Sequence, residues 1–195
     1  EARVQKAMHD ALRELGAAEV HEALAGVAFE GTLETGYRAC LWSRLASRVL
    51  LPIHVFDAPD DAALYEGVSS VDWARHLESD GTLAVDANLF ASQLSHARYA
   101  EQRVKDAVVD QFRARHGERP SVDTAQPDVR INLSLRRDRA TLSIDLSGDS
   151  LHRRGYREAT VTAPLKETLA ATLLLKAGWP AIAAAGDPLL DPLCG

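Results

Sequence analysis

The 195-residue sequence has little cysteine and no long apolar run. Its two cysteines, Cys40 and Cys194, lie far apart. A disulfide framework or a zinc site needs more cysteines or a closer spacing, so the sequence favours a reducing, cytoplasmic location. The uncharged stretch 177–186 is interrupted by glycine and proline. It is well short of the roughly 20 apolar residues that a membrane-spanning helix needs. We expect no signal peptide, because the first residues are charged and helix-like.

The sequence also lacks the common motifs of catalysis and cofactor binding. It contains no P-loop, no nucleophile elbow and no Gly-x-Gly-x-x-Gly run. Its seven histidines are scattered, with no pair at a spacing of four and no neighbouring cysteine. The sequence therefore predicts no metal site, and an independent small-molecule enzyme is disfavoured.

Positive charge is scarce overall but unevenly distributed. The formal net charge of −6 argues at first against nucleic acid. Residues 1–97 hold 7 Lys and Arg against 15 Asp and Glu, whereas residues 98–195 hold 15 against 13. The later basic residues form two clusters: Arg98, Arg103, Lys105, Arg113, Arg115 and Arg119, and then Arg153, Arg154 and Arg157. Arginine forks two hydrogen bonds onto a phosphate, which suits nucleic acid. A solvated helix face followed by a turn explains the same pattern, and both interpretations stay open.

The first half of the chain mixes helical and strand-like patterns. Apolar spacing predicts two helices and two strands, at 3–15 and 35–48 and at 27–30 and 49–56. Pro52 places the last of these strands at a sheet edge or a bend. The acidic residues 57–63 are typical of a turn, and Ser70 is predicted to cap a short helix at its N-terminus. Trp42 and Trp73 lie among apolar neighbours, which favours core packing over base stacking.

The second half gives clearer patterns. The alternation of residues 82–89 predicts a half-buried strand, and a long helix follows from Ser95 to Arg115, with Gly117 as its stop. Two alternating runs joined by residues 136–139 predict a β-hairpin. These runs are 129–135 and 140–147. A helix is predicted over 164–176, and a buried strand at 189–191.

Seven runs, taken in order, resemble the THUMP-domain region of bacterial 23S ribosomal RNA guanine-N2 methyltransferases. They are LWSRLASR (41–48), VKDA (104–107), RPSVD (119–123), DVRIN (128–132), DLSGDSLHRRGYR (145–157), PLKETLAA (164–171) and LDPLCG (190–195). The resemblance covers nearly the whole chain. The ordered set is far more specific than any single run.

The resemblance implies an α+β fold in three parts. A partial ferredoxin-like domain is expected at 1–34, and a THUMP domain, an α/β sandwich, at 35–147. A connector with the first elements of a Rossmann-like methyltransferase domain is expected at 148–195. The family transfers a methyl group from S-adenosylmethionine to N2 of a guanine in 23S rRNA. Its THUMP domain is regarded as the module that holds the RNA for the downstream methyltransferase domain.

The resemblance places Asp191, Cys194 and Gly195 at the start of the cofactor loop. The resemblance implies that this loop continues through Ser-Gly-Thr into a helix, with an Asn-Pro-Pro-Tyr-type motif later, and the given sequence contains neither run. An S-adenosylmethionine site needs the strand, the glycine-rich turn, the following helix and an acidic residue for the ribose. We therefore expect this chain alone to be inactive.

The same resemblance, with the charge pattern, gives a set of candidate RNA-contacting residues. They are Arg98, Lys105, Arg113, Arg115, Arg119, Arg130, Arg153, Arg154, Tyr156 and Arg157. The arginines would contact phosphates, and Tyr156 would stack on a base. The rival hypothesis is a protein-interaction module that docks onto the methyltransferase domain without touching RNA.

Overall fold

A computed structural model of the chain describes residues 2–23, 26–158 and 164–191. The helices are α1 (Ala2–Glu14), α2 (Leu33–Trp42), α3 (Asp61–Ser69), α4 (Ala97–His116), α5 (Glu167–Lys176) and α6 (Trp179–Ala184). The strands are β1 (Ala18–Ala23), β2 (Gly26–Glu30), β3 (Leu50–Asp57), β4 (Thr82–Phe90), β5 (Ser121–Val122), β6 (Val129–Arg136) and β7 (Arg139–Asp145). The predicted α+β class is therefore confirmed.

The chain divides into two compact units. One is continuous, Leu50–Gly148, and is called the central unit below. The other combines Glu1–Val49 with Asp149–Gly195 and is called the split unit. The sequence of the central unit therefore interrupts that of the split unit.

The central unit contains a five-stranded sheet in the order β3-β7-β6-β4-β5. Strand β4 runs parallel to β5 and β6, while β7 is antiparallel to both β6 and β3. Strand β3 lies at one edge, and its register with β7 shifts between Pro52 and His54. The edge position predicted from Pro52 is confirmed, because proline has no N–H to donate to a second neighbouring strand.

One face of this sheet carries the core. Alternate residues of the strands, among them Leu83, Ile131 and Leu142, are fully buried against helices α3 and α4. Helix α4 contributes the predicted apolar stripe, including Val104, Val108 and Phe112. It ends where expected, at Gly117, whose positive φ of 72° favours glycine.

A polar side chain on α4 fastens the connection between α3 and β4. The Gln111 amide oxygen accepts from the backbone N–H of Trp73 at 2.9 Å, and the amide nitrogen donates to the carbonyls of Ser69 and Val71. The indole of Trp73 donates to the carbonyl of Val68 at 2.9 Å. These bonds satisfy polar groups that would otherwise be costly to bury. The predicted core position of Trp73 is confirmed, since it is fully buried.

The predicted hairpin is β6 and β7, joined by a two-residue turn. Arg137 and Asp138 both have positive φ, 49° and 61°. Positive φ at both central residues is typical of the turns that match the twist of a two-residue hairpin. Asparagine and glycine are the usual residues there, so an arginine at the first position is uncommon.

The split unit combines a short antiparallel pair with helices from both of its segments. Strand β1, which the sequence patterns did not predict, pairs with β2. Helix α1 contacts β1, β2 and α5. Apolar side chains buried in this unit include Leu12, Val20, Ala39 and Leu151.

Three predictions for the split unit are wrong. The helix expected over 35–48 begins two residues earlier and ends at Trp42, because the Ser43 hydroxyl accepts from the backbone N–H groups of Leu45 and Ala46 and closes a turn. Trp42 is consequently 66% exposed and not in the core. The buried strand expected at 189–191 is absent: these residues form no regular element and are exposed.

Two predictions for the central unit are wrong, one at each end of α3. The acidic stretch expected to be a turn contains the start of α3, because Asp60 caps that helix by accepting from the N–H of Ala63 at 2.8 Å. Ser70 does not begin a helix but ends α3, donating from its hydroxyl to the carbonyl of Gly67 at 2.7 Å. The short segment that follows is a 3-10 helix, Trp73–Arg75.

Candidate nucleic-acid interface

Helix α4 separates the predicted basic residues of the central unit instead of grouping them. Arg98 lies in its first turn, whereas Arg113 and Arg115 lie in its last. A helix of 20 residues is about 30 Å long, so the two ends cannot contact the same phosphate. The predicted set therefore forms at least two separate patches on this unit.

Most of the predicted cations on α4 have a carboxylate partner. Lys105 lies 2.6 Å from the carboxylate of Asp106, and Arg113 lies 3.3 Å from that of Asp110. Arg115 pairs with Asp72. All of these side chains are at least one-third exposed, and exposed ion pairs contribute little to stability. A phosphate would compete with a weak partner at each position.

Arg98 and Arg119 differ from these residues. Both are exposed, and within the described ranges neither has an ion-pair partner. Arg119 follows the end of α4 and precedes Pro120, which is fully buried and anchors the backbone at that point. These two arginines are the exposed predicted cations of the central unit that have no ion-pair partner among the described residues.

Arg130 is held by the fold. Its side chain is only 12% exposed, and it pairs with Asp86 on the neighbouring strand at 3.2 Å. A second guanidinium nitrogen donates to the carbonyl of Thr124 at 3.1 Å. These contacts connect β6 to β4 and to the loop before β6, so the side chain has little freedom to reach a phosphate.

Arg154 also has its guanidinium engaged, in the split unit. It donates to the carbonyls of Cys40 and Leu41 at 2.9 Å each and to that of Ser43. These carbonyls belong to the last turn and the C-cap of α2, where the helix leaves acceptors without intrahelical donors. The cation also lies at the negative end of the helix dipole. Arg154 thus terminates α2, whereas its neighbour Arg153 is exposed and has no ion-pair partner among the described residues.

Arg157 and Tyr156 complete the predicted set. Arg157 donates to the Glu167 carboxylate at 2.9 Å and to the carbonyl of Leu165. The backbone amide of Glu167, and then Arg157, hold the pKa of the Glu167 carboxyl below its ordinary value. Tyr156 is 67% exposed, so its ring is accessible to a base. The predicted RNA role of each residue in the set stays a prediction.

The described end of the chain does not form a cofactor pocket by itself. Asp191 is exposed and follows Leu190, which is 84% exposed, with no strand in this segment. Cys194 and Gly195 lie outside the described residues. Within the described part of the chain, no group of histidine, cysteine, aspartate and glutamate side chains could hold a metal ion.

The sequence predictions missed three arginines at the tip of the β6–β7 hairpin. Arg136, Arg137 and Arg139 are all exposed. The guanidinium of Arg136 lies 4.6 Å from the ring centroid of Phe90, which is itself 57% exposed. Three arginines within a four-residue hairpin connection were a signal that sequence reading could have used.

Three family models match the chain in order. The ferredoxin-like domain of RlmL matches residues 5–50, the THUMP domain matches 58–145, and the RMKL-like methyltransferase domain matches 154–195. None of the helices in the described ranges has the length and apolar character that crossing a bilayer requires.

Curated relatives and a solved structure extend these matches. The ribosomal RNA large subunit methyltransferase K/L of Syntrophotalea carbinolica is 59% identical over 98% of this chain and 27% of its own length. The protein of the same name from Methylococcus capsulatus is 54% identical over 93% of this chain and 24% of its own length. The chain thus spans about a quarter of these relatives. The crystal structure of SMU.472 complexed with SAH superimposes with a TM-score of 0.76, at 29% identity over 90% of this chain and 46% of that one.

Proposed function

We propose that this chain, which carries a THUMP domain and is related to the ribosomal RNA large subunit methyltransferases K/L, is an RNA-binding region. It would hold ribosomal RNA for methylation. The observation that carries this proposal is the order of the three family matches: ferredoxin-like, THUMP, then methyltransferase. A binding module that precedes a catalytic domain in the same polypeptide can position a substrate before the reaction begins.

The exposed cations support a role in contacting the RNA backbone. Arg98, Arg119 and Arg153 have no ion-pair partner in the described ranges, and Tyr156 offers a stacking surface. Lys105, Arg113 and Arg115 would exchange weak carboxylate partners for phosphates. Arg130, Arg154 and Arg157 would act mainly by holding the strands and turns on which the exposed residues lie. The net charge of −6 would limit non-specific binding to other nucleic acids.

The finer part of the proposal concerns the reaction of the whole polypeptide. The substrate would be 23S rRNA, and the methyl group would pass from S-adenosylmethionine to N2 of a guanine. Guanine selection would belong to the methyltransferase domain, with the base extruded from its helix. Asp191, Cys194 and Gly195 would begin the cofactor loop, and the chain alone would be inactive. The protein would act in the cytoplasm.

Binding of this chain to a 23S rRNA fragment across a salt series tests the proposal. We expect affinity to fall steeply with salt, because each phosphate contact releases counterions. Arg153→Ala should weaken binding and flatten the slope by about one phosphate contact. Arg38→Ala is the matched control, since Arg38 is an exposed arginine of the same unit that pairs with Glu34. No binding even at low salt would reject an RNA-holding role for the isolated chain.

A second function is favoured by the exposed apolar side of α2. Leu33, Tyr37 and Leu41 recur every fourth residue and are 51%, 53% and 67% exposed, with Trp42 beside them. A contiguous apolar surface of this kind is typical of protein contacts. On this proposal, α2 docks onto the methyltransferase domain. Leu41→Asp should then weaken association with a separately produced methyltransferase domain and leave RNA binding unchanged.

A further inference from the structure

The second face of the central sheet carries a row of exposed side chains at one end. Phe90 pairs in register with Arg136, and Arg136 pairs with Arg139. Their chain neighbours Leu89, Leu135 and Ala140 point into the core. Because side chains alternate along a strand, Phe90, Arg136 and Arg139 share the face opposite to the helices. These three residues are called the open-face row.

The open-face row combines an aromatic ring with accessible cations. The Arg136 guanidinium lies over one side of the Phe90 ring, which is 57% exposed. Within the described ranges, Arg136 and the turn residue Arg137 have no acidic partner. Arg139 pairs with Asp57 at 2.8 Å, but both side chains are more than half exposed, so a phosphate could compete with this pair.

The next row on the same face adds hydrogen-bonding groups. Asn88 pairs in register with Ser134, and both are exposed. An amide and a hydroxyl can donate to and accept from the edge of a base. The surface therefore offers three kinds of contact within two rows: stacking, hydrogen bonding and positive charge.

The turn that carries Arg137 is fixed by the loop after β4. The Asp138 carboxylate accepts from the N–H of Gln93 at 2.8 Å, and the Asp138 N–H donates to the Ser92 hydroxyl at 3.1 Å. The N–H of Arg137 donates to the carbonyl of Phe90 at 3.0 Å. The Asp138 carboxylate is thereby engaged with the Gln93 N–H, and Arg137 is held in a positive-φ conformation that arginine rarely adopts.

We propose that the open-face row and Arg137 bind unpaired nucleotides of RNA. A base would stack on Phe90 and the Arg136 guanidinium, and the adjoining phosphates would contact Arg137 and Arg139. Unpaired nucleotides fit this surface because a base still stacked in a duplex cannot reach a ring on a sheet. The inference rests on the proposed RNA-binding function and names the RNA feature that the central unit recognises.

The test compares two RNAs of equal strand length: a labelled single strand and the same strand in a blunt-ended duplex, each titrated with the chain at low salt. Phe90→Ala should weaken single-strand binding by about tenfold, the typical loss of one stacked base, and change duplex binding far less. Phe90→Trp should retain single-strand binding. Arg137→Ala should weaken it several-fold and lower its salt slope by about one. Arg75→Ala, an exposed arginine in the short 3-10 helix, is the control and should bind as the unmodified chain does.

The outcomes separate this inference from the function on which it rests. If the chain binds RNA but Phe90→Ala, Phe90→Leu and Arg137→Ala all leave single-strand affinity unchanged, the open-face row is not a binding surface and the proposed function stands. If the unmodified chain binds neither RNA at low salt, both proposals fail. Phe90→Leu keeps the apolar bulk without the aromatic ring, and circular dichroism checks that each variant is folded.

Discussion

Most large apolar side chains of the central unit are buried or half-buried, whereas many of those in the split unit are exposed. The largest fully buried side chains, such as Trp73, Leu83 and Leu133, all belong to residues 50–148. In the split unit, by contrast, Leu41, Trp42 and a series on α5 are about half exposed or more. Hydrophobic burial stabilises a fold in proportion to the area removed from water. The central unit is therefore held together by its own core, whereas the split unit depends more on specific polar contacts.

The largest expected effect comes from opening the core of the central unit. Leu133→Ala removes a fully buried side chain and should lower the free energy of unfolding by about 2–5 kcal/mol, because a cavity remains. Leu41→Ala in the split unit, 67% exposed, should change it by no more than about 0.5 kcal/mol. Urea denaturation of each variant, followed by far-ultraviolet circular dichroism, measures both changes in the free energy of unfolding. Equal losses for both variants would contradict the comparison.

Overpacking the same core should have the next largest effect. A Cβ at Gly67 would lie 2.1 Å from the ring of Phe56, so one of the two must move. Gly67→Ala should therefore cost about 1–3 kcal/mol, although alanine is the better helix former. Gly117→Ala provides a contrast without a clash, because only the positive φ opposes it. Unchanged stability in Gly67→Ala would mean that Phe56 moves away at no cost.

In the split unit, the removal of a polar contact should lower stability more than the removal of an exposed apolar side chain. Arg154→Ala removes the donors from three carbonyls at the end of α2 and should cost about 1–2 kcal/mol. Hydrogen exchange of residues 33–42 measures the loss directly. Arg153→Ala is the matched control: it should leave this exchange unchanged while weakening RNA binding. Faster exchange in both variants would remove the distinction between the two arginines.

The smallest expected effect is a pH dependence in the central unit. The side chain and then the backbone N–H of Thr82 donate to Asp128 and hold the pKa of its carboxyl below the ordinary value. Because the folded-state pKa is depressed, this stabilisation is complete above about pH 4 and is lost as the pH falls through the folded-state value. Any stability difference between the unmodified chain and Asp128→Asn should therefore narrow as the pH is lowered below about 4. A difference independent of pH would contradict the assignment.

The parts of the fold that the sequence predicted are those with local periodicity. The alternation in 129–135 and 140–147 and the stripe along α4 follow from one buried face per element, and the structure confirms them. The early end of α2 was not predictable in this way, because the local Ser43 turn is accompanied by bonds from Arg154 to carbonyls more than 100 residues earlier. The start of α3 was missed because aspartate suits both a turn and a helix cap.

The candidate site was predictable only in part, and for a similar reason. Sequence clustering identified cations but not their partners, some of which come from distant elements: Asp86 for Arg130 and Asp72 for Arg115. Sequence clustering also missed Arg136 and Arg139. The register of β4, β6 and β7 in the sheet brings these two residues beside Phe90, and clustering along the sequence does not show that register. The predicted domain limits and residue roles in RNA binding stay predictions.

The bonds from Arg154 to the end of α2 have a consequence for the order of synthesis. A ribosome delivers residues 50–148 as one continuous stretch, and domains generally fold as units as they emerge. The central unit can therefore complete its core before Arg154 is available to bond to the end of α2 in the first 49 residues. The final closure of α2 becomes possible only after the interrupting unit has left the exit tunnel. The middle segment of the chain can thus reach its final structure before the first segment does.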